Sequence, residues 1–182
     1  MTQITWLASL LLVSQLSFAS VPESIREFKT NEGSIKSIVP KNWEPLVNYL
    51  NAPLTFISKK GLMDRRSVID VIPFGVKDLE DKLSQIKKDP EEFYNQKEEW
   101  LEGFNGESLS YEPYREIKKD GASIYSIGIK YKNSLGEYLD QSFYISTKSK
   151  QIFFVKVLIP LDQEYLNRNF AYEVVESIAT RN

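Results

Sequence analysis

The chain of 182 residues contains no cysteine and no histidine. The lack of cysteine excludes disulfide bonds and thiol nucleophiles. Both absences together exclude the usual zinc and haem ligand sets and any catalytic triad built on imidazole. What remains is the chemistry of carboxylates, amines, hydroxyls and phenols, and no motif assembles these groups for catalysis. We therefore predict no catalytic residues, no metal site and no cofactor.

The sequence also lacks a large excess of positive or negative charge. The sequence has 23 Lys and Arg residues against 25 Asp and Glu residues, so its net charge is −2 and its pI is about 5.4. Nucleic-acid binding needs a basic face that displaces counterions from phosphates. The composition therefore indicates that nucleic acid is not the partner.

The first 20 residues carry no Asp, Glu, Lys or Arg. An apolar stretch over residues 4–13 is followed by the small residues Ser17 and Ala19, two positions apart, which is typical of a signal peptide cleaved after Ala19. The alternative is an uncleaved anchor, but a spanning helix needs ~20 consecutive apolar residues and this run is interrupted. We predict a signal peptide over residues 1–19 and an exported chain, periplasmic or extracellular, without a transmembrane span.

Residues 20–182 fall within the ~100–200 residues of a single domain, and they contain no internal repeat or linker. In the first part of this segment, residues 34–39 resemble a strand that Pro40 ends. Residues 46–51 indicate a weak helical or irregular stretch. Residues 54–58 and 67–74 are β-rich and joined by a polar connection, which favours a strand pair.

The spacing then becomes helical over residues 76–104. Apolar residues recur on one stripe on either side of a break: Leu79, Leu83 and Ile86 before it, then Phe93, Trp100 or Leu101, and Phe104. At the break, Asp89 can cap a helix whose first position suits Pro90. We predict two successive helices, and we expect Trp100 to have a structural role in the core stripe.

From residue 109 to residue 159 the period returns to two, which indicates four strands. The last of them, residues 152–159, is apolar on both faces apart from Lys156 and fits a strand covered above and below. Asp162 can cap a final helix with a stripe of apolar residues: Leu166, Phe170, Val174 and Ile178. Strands in runs rather than alternating with helices predict an α+β fold, with a mainly antiparallel sheet flanked by helices.

Several segments together resemble the PsbP-like and DcrB-like superfamily. They are SIVPKNWEPL, the strands around LTFIS and SVIDVIPFG, the helix ending in EEWLEGF, the four-strand run, and the closing FAYEVVESIA. The resemblance implies an αβα sandwich and a small, non-enzymatic accessory protein that binds a partner. It carries over no catalytic residue.

The connection KKGLMDRR is the first candidate binding site. It places two apolar residues between four cations: Lys59, Lys60, Leu62, Met63, Arg65 and Arg66. Such a loop tip can dock on an anionic partner or a membrane surface. The alternative is an ordinary charged loop with Leu62 or Met63 folded onto the core.

Tyr138 and Tyr144 form the second candidate site. They share one face of a predicted strand with Asp140 and Ser142. If no helix covers this face, the tyrosines are positioned to stack on a glycan ring.

The sequence thus favours an exported, non-enzymatic accessory protein that binds an envelope component. A glycan-binding module is one alternative. A hydrolase that uses Asp or Glu, or Ser and Lys, in a cleft is another. A deep pocket with two convergent carboxylates, or a Ser beside a Lys, would favour the hydrolase.

Overall fold

A computed structural model describes residues 24–59 and 65–182. The described residues form nine strands, three α-helices and one 3-10 turn. In chain order they are β1 (Arg26–Thr30), β2 (Gly33–Ser37), β3 (Trp43–Tyr49), β4 (Ala52–Ser58), β5 (Val68–Pro73), α1 (Val76–Lys88), α2 (Pro90–Glu102), β6 (Glu107–Lys119), β7 (Ala122–Asn133), β8 (Gly136–Ser146), β9 (Ile152–Pro160), the 3-10 turn (Leu161–Gln163) and α3 (Glu164–Arg181). The predicted signal peptide, residues 1–19, lies outside the described residues.

Seven strands form one antiparallel sheet in the order β3-β4-β5-β9-β8-β7-β6, while β1 and β2 form a separate hairpin. β9 enters between β5 and β8 and so joins the first half of the chain to the second. It lies at the centre of the sheet, between the apolar core beneath α3 on one face and the apolar cluster beneath α1 and α2 on the other, which is why it is apolar on both sides. The predicted pairing of β4 with β5 is confirmed.

Two layers cover the sheet on opposite faces. On one face, α3 and the β1–β2 hairpin bury the largest apolar cluster, in which Phe28 packs edge-on against Phe56 with ring centroids 5.8 Å apart. On the other face, α1 and α2 pack on β7 and β8 around Ile127 and Tyr144. The predicted αβα sandwich is confirmed.

The junction between α1 and α2 follows the predicted capping chemistry. Asp89 accepts a hydrogen bond from the backbone N–H of Glu92 at 3.2 Å, and Pro90 occupies the first turn. The start of α3 differs from prediction. Asp162 lies in the 3-10 turn and pairs with Arg65 instead of capping the helix. The prediction was wrong because this tertiary ion pair engages the carboxylate.

Charged side chains fasten α3 to β6 and β7. Arg168 binds Glu112 and Glu164, each at 2.7 Å, and Lys130 binds Glu164 at 2.9 Å. Burial alone would raise the pKa of Glu164, but the hydrogen bonds from Lys130 and Arg168 outweigh it and hold the pKa below its ordinary value.

Two further expectations from the sequence are corrected. Residues 46–51 belong mostly to β3, which pairs with β4 through a tight turn where Leu50 has a positive φ of 51°. Pairing with a neighbouring strand determines the conformation of this short segment.

Trp100 is 44% exposed, and Leu101 takes the core position instead, because consecutive helical residues point about 100° apart.

Candidate functional site

An open groove lies at the end of the sheet where residues 65–67 meet the turn between β7 and β8. Its volume is about 420 Å³. Eight side chains line it: Ile57, Arg66, Val68, Tyr131, Asn133, Leu135, Tyr138 and Leu158. The lining therefore combines six apolar or aromatic side chains with one guanidinium and one amide.

The floor of the groove comes from three neighbouring strands. Ile57 on β4 pairs with Val68 on β5, which pairs in turn with Leu158 on β9. Directly paired residues point to the same face of a sheet, so the three side chains form a row. All three are only part-buried, because α1 and α2 cover the opposite half of this face. Within residues 24–59 and 65–182, the floor is therefore a part-exposed apolar strip.

The wall of the groove is aromatic. Tyr131 and Tyr138 are paired across β7 and β8, and their rings stack with centroids 5.6 Å apart. Trp100 on α2 packs edge-on against Tyr131 at 5.6 Å. Burial raises the pKa of Tyr131, and the nearby charge of Asp140 adds to this effect. The phenol is therefore neutral at physiological pH and acts as a hydrogen-bonding and packing group.

Arg65 is fixed beside this wall. Its guanidinium lies 5.7 Å from the ring centroid of Tyr138 and 3.3 Å from Asp162. It also packs on Gly136, where an added Cβ would lie 2.8 Å from the guanidinium carbon and where φ is 136°. The Arg65 carbonyl accepts a hydrogen bond from Gln163 at 2.8 Å. These contacts hold the base of the 59–66 loop against the start of α3.

The structure brings together three of the residues singled out from the sequence: Arg65, Arg66 and Tyr138. Lys59 is exposed at the other base of the loop, where its N–H donates to Asn42. The remaining candidates of this loop, Lys60, Leu62 and Met63, lie outside the described residues.

Tyr144 does not belong to the groove. It packs beneath α1 and is 5% exposed, as is Tyr138. The glycan-binding interpretation required an open face with both tyrosines accessible, and the structure contradicts this requirement. Burial raises the pKa of Tyr144 to about 12. Both side chains serve packing, although Tyr138 keeps one edge at the groove.

Sequence reasoning missed most of the lining. Leu135 carried the clearest signal in the sequence, because it is a large apolar residue in a tight turn between two strands. In the structure its side chain is 64% exposed. The other missed residues sit on strands, where alternation does not reveal which part of a face stays uncovered. They are Ile57, Val68, Tyr131, Asn133 and Leu158.

A second polar cluster lies beneath α2. The side chain of Asp140 is fully buried, and its Oδ2 atom is 2.7 Å from the Lys97 ammonium and 3.9 Å from that of Lys156. Ser142 is the cross-strand partner of Lys156 and is also buried. A Ser beside a Lys is one of the two signs expected of a hydrolase, but here Ser142 is buried and the Lys156 ammonium pairs with Asp140. The cluster anchors α2 on the sheet.

In the parts of the chain that the structure describes, no three acidic side chains converge as a metal site requires.

The solved structures that resemble the protein include the following two. One is the solution structure of cyanobacterial PsbP (CyanoP) from Synechocystis sp. PCC 6803, with a TM-score of 0.55 and 9% identity over 91% of this chain and 96% of that chain. The other is LpqN, involved in cell envelope biogenesis of Mycobacterium tuberculosis, with a TM-score of 0.51 and 14% identity over 87% and 82%. The chain has the PsbP-like fold. At these identities the likeness concerns the fold alone.

No protein-family model matches the sequence, and no curated protein sequence matches it significantly. Among residues 24–59 and 65–182, no helix combines the length and the apolar character that a membrane crossing requires.

Proposed function

We propose that this PsbP-like protein is an exported accessory protein that binds a partner protein in the groove between residues 65–67 and the β7–β8 turn. The observation that carries the proposal is the composition of the groove, an apolar floor and aromatic wall with a single guanidinium and a single amide. Protein-binding surfaces combine an apolar centre, aromatic side chains and Arg in this way.

The lining suits recognition better than bond cleavage. A hydrolytic site needs a nucleophile or activated water, with a base and a group that stabilises developing charge. Among the described lining residues, the polar groups are one guanidinium, one amide and two phenols. The phenol of Tyr131 is held neutral. These groups orient a ligand, while the apolar area supplies the contact.

Two observations support an exported location. The first 20 residues have the composition of a signal peptide. LpqN, which shares the fold, is described as involved in cell envelope biogenesis. We extend the proposal to the connection between β4 and β5. In it, Lys59, Lys60, Leu62 and Met63 are proposed to add cationic and apolar contacts for the same envelope partner.

The test is site-specific photo-crosslinking in the native host. A photoreactive phenylalanine analogue replaces Leu135 at the rim of the groove or, as a control, Leu166 on α3. The two leucines are equally exposed, at 64%. We expect a discrete crosslinked protein from position 135 that is absent from position 166. Equal crosslinking patterns at the two positions would contradict the proposal.

A further inference from the structure

We propose that the groove takes an extended segment of the partner in which a large aliphatic side chain lies on the floor and a carboxylate two residues away pairs with Arg66. This inference rests on the proposed function and names the chemistry of the bound segment. Three observations carry it: the spacing of the floor from Arg66, the distribution of charge around the groove, and the openness of the floor.

The spacing matches an extended chain. Arg66 and Val68 are two residues apart, and both line the groove. Residues i and i+2 of an extended segment lie on one face, about 6.7 Å apart along the chain. A partner strand that runs alongside has the same repeat. If one side chain of the partner strand covers Val68 and Leu158, the side chain two positions along the same strand therefore reaches Arg66.

Among the described residues, the charge at the Arg66 end of the groove is unbalanced. The sequence from residue 59 to residue 66 holds four cations and one carboxylate. The charge of Arg65 is already met by Asp162, whereas Arg66 is exposed and forms no ion pair with any residue that the structure describes. Its guanidinium is therefore available to a carboxylate, which it can bind through two parallel hydrogen bonds.

The opposite end of the floor is neutralised. Lys156 stands two residues from Leu158 and is paired with Asp140 at 3.9 Å. Asp70 is its cross-strand neighbour and accepts a hydrogen bond from Thr55 at 2.7 Å. A carboxylate at this end would approach the part-buried Asp70 carboxylate, and the Lys156 ammonium beside it already has Asp140 as its partner. The arrangement favours one acidic residue in the partner segment, on the Arg66 side of the apolar one.

The openness of the floor favours a peptide over a lipid chain. Ile57, Val68 and Leu158 are part-buried and form a strip across three strands. Sites for small apolar ligands enclose most of the ligand surface. Among the described residues, this strip contacts one side of a bound side chain and does not enclose the segment that carries it.

The test selects peptides from a random display library on the purified protein. We expect enrichment of sequences with Leu or Ile two positions from Asp or Glu. The selected peptide is then titrated by fluorescence polarisation. Arg66→Glu should weaken its binding about tenfold, because reversal turns an attraction into a repulsion. Arg26→Glu, which reverses another exposed arginine on β1, should leave binding unchanged. Both variants should keep the melting temperature of the wild type.

Enriched peptides without an acidic residue, no enrichment at all, or equal binding by both variants would overturn the inference. Flotation with phosphatidylglycerol vesicles tests the lipid alternative. Vesicle binding that Arg66→Glu abolishes, without peptide enrichment, would also overturn it. A protein crosslinked from position 135 whose captured segment lacks the acidic residue would overturn this inference and leave the proposed function standing.

Discussion

Removing the Lys97 ammonium should destabilise the protein more than removing the charge of its partner, Asp140. The carboxylate is fully buried on β8, whereas the Lys97 side chain is 20% exposed and that of Lys156 is 40% exposed. If the acid is neutralised, both ammonium groups can turn to water. If Lys97 is lost, the carboxylate keeps only Lys156, whose Nζ is 3.9 Å away.

The magnitude follows from this asymmetry. Breaking a buried ion pair by removing one partner costs about 3–5 kcal/mol, and we expect the lower end for Lys97→Met because Lys156 compensates in part. Asp140→Asn should cost less than Lys97→Met, within the range of about 1.5–3 kcal/mol for a hydrogen bond to a charged group. The double variant Lys97→Met with Asp140→Leu should lie within ~1 kcal/mol of the wild type. It also removes Oδ1, which no described residue hydrogen-bonds.

Urea denaturation measures these differences. The wild type, Lys97→Met, Asp140→Leu and the double variant form a double-mutant cycle, and Asp140→Asn is measured beside them. For a chain of this size, about 3 kcal/mol corresponds to a fall of roughly 6–12 °C in the melting temperature. Equal losses in Lys97→Met and Asp140→Asn, or additive losses in the double variant of the cycle, would refute the reasoning. Either result would show that the Asp140 carboxylate reaches water when Lys97 is absent.

Three further predictions concern stability. Glu164→Gln should destabilise the protein at about pH 7 in urea denaturation, and the difference from the wild type should shrink as the pH falls below the ordinary pKa of a Glu side chain. The lowered folded pKa contributes stability that is present above the unfolded pKa and is lost as the pH falls through the folded pKa. Leu101→Ala should cost about 2–5 kcal/mol, and Trp100→Ala, at a 44% exposed side chain, clearly less, as measured by chemical denaturation. Tyr144→Phe should lose less stability than the wild type between about pH 10 and pH 12. The folded pKa of Tyr144 is raised to about 12, so its contribution is lost as the pH rises through that range.

The long strands were predictable because their surroundings impose a simple pattern. The run over residues 152–159 is apolar on both sides because β9 lies at the centre of the sheet, with apolar packing on both of its faces. The cap at Asp89 was predictable because it depends on residues within one turn. The cap depends on a local contact, and the strand shows the same apolar character on both faces. Both can therefore be predicted without knowing which elements pack against them.

Short segments were less predictable. Residues 46–51 carry too few positions to separate a helical from an extended period, and pairing with β4 decided the outcome. A period of 3.6 residues per turn does not decide whether Trp100 or Leu101 continues the apolar stripe of the helix. The rotation of α2, fixed in part by the ion pair between Lys97 and Asp140, places Leu101 inward and Trp100 outward.

The groove shows why a binding surface is harder to predict than the elements that build it. Arg65 and Arg66 are adjacent and chemically identical, yet one is fixed against Tyr138 and Asp162 while the other faces the open floor. Neighbours in an extended segment point to opposite sides, so only one of the two could line the groove. Which one does so depends on the register of β5 against β9, since Val68 must pair with Leu158 for Arg66 to follow it onto the same face. That register is set by packing across the whole sheet. The cluster of cations is therefore visible in the sequence, while the division of roles within it is a property of the fold.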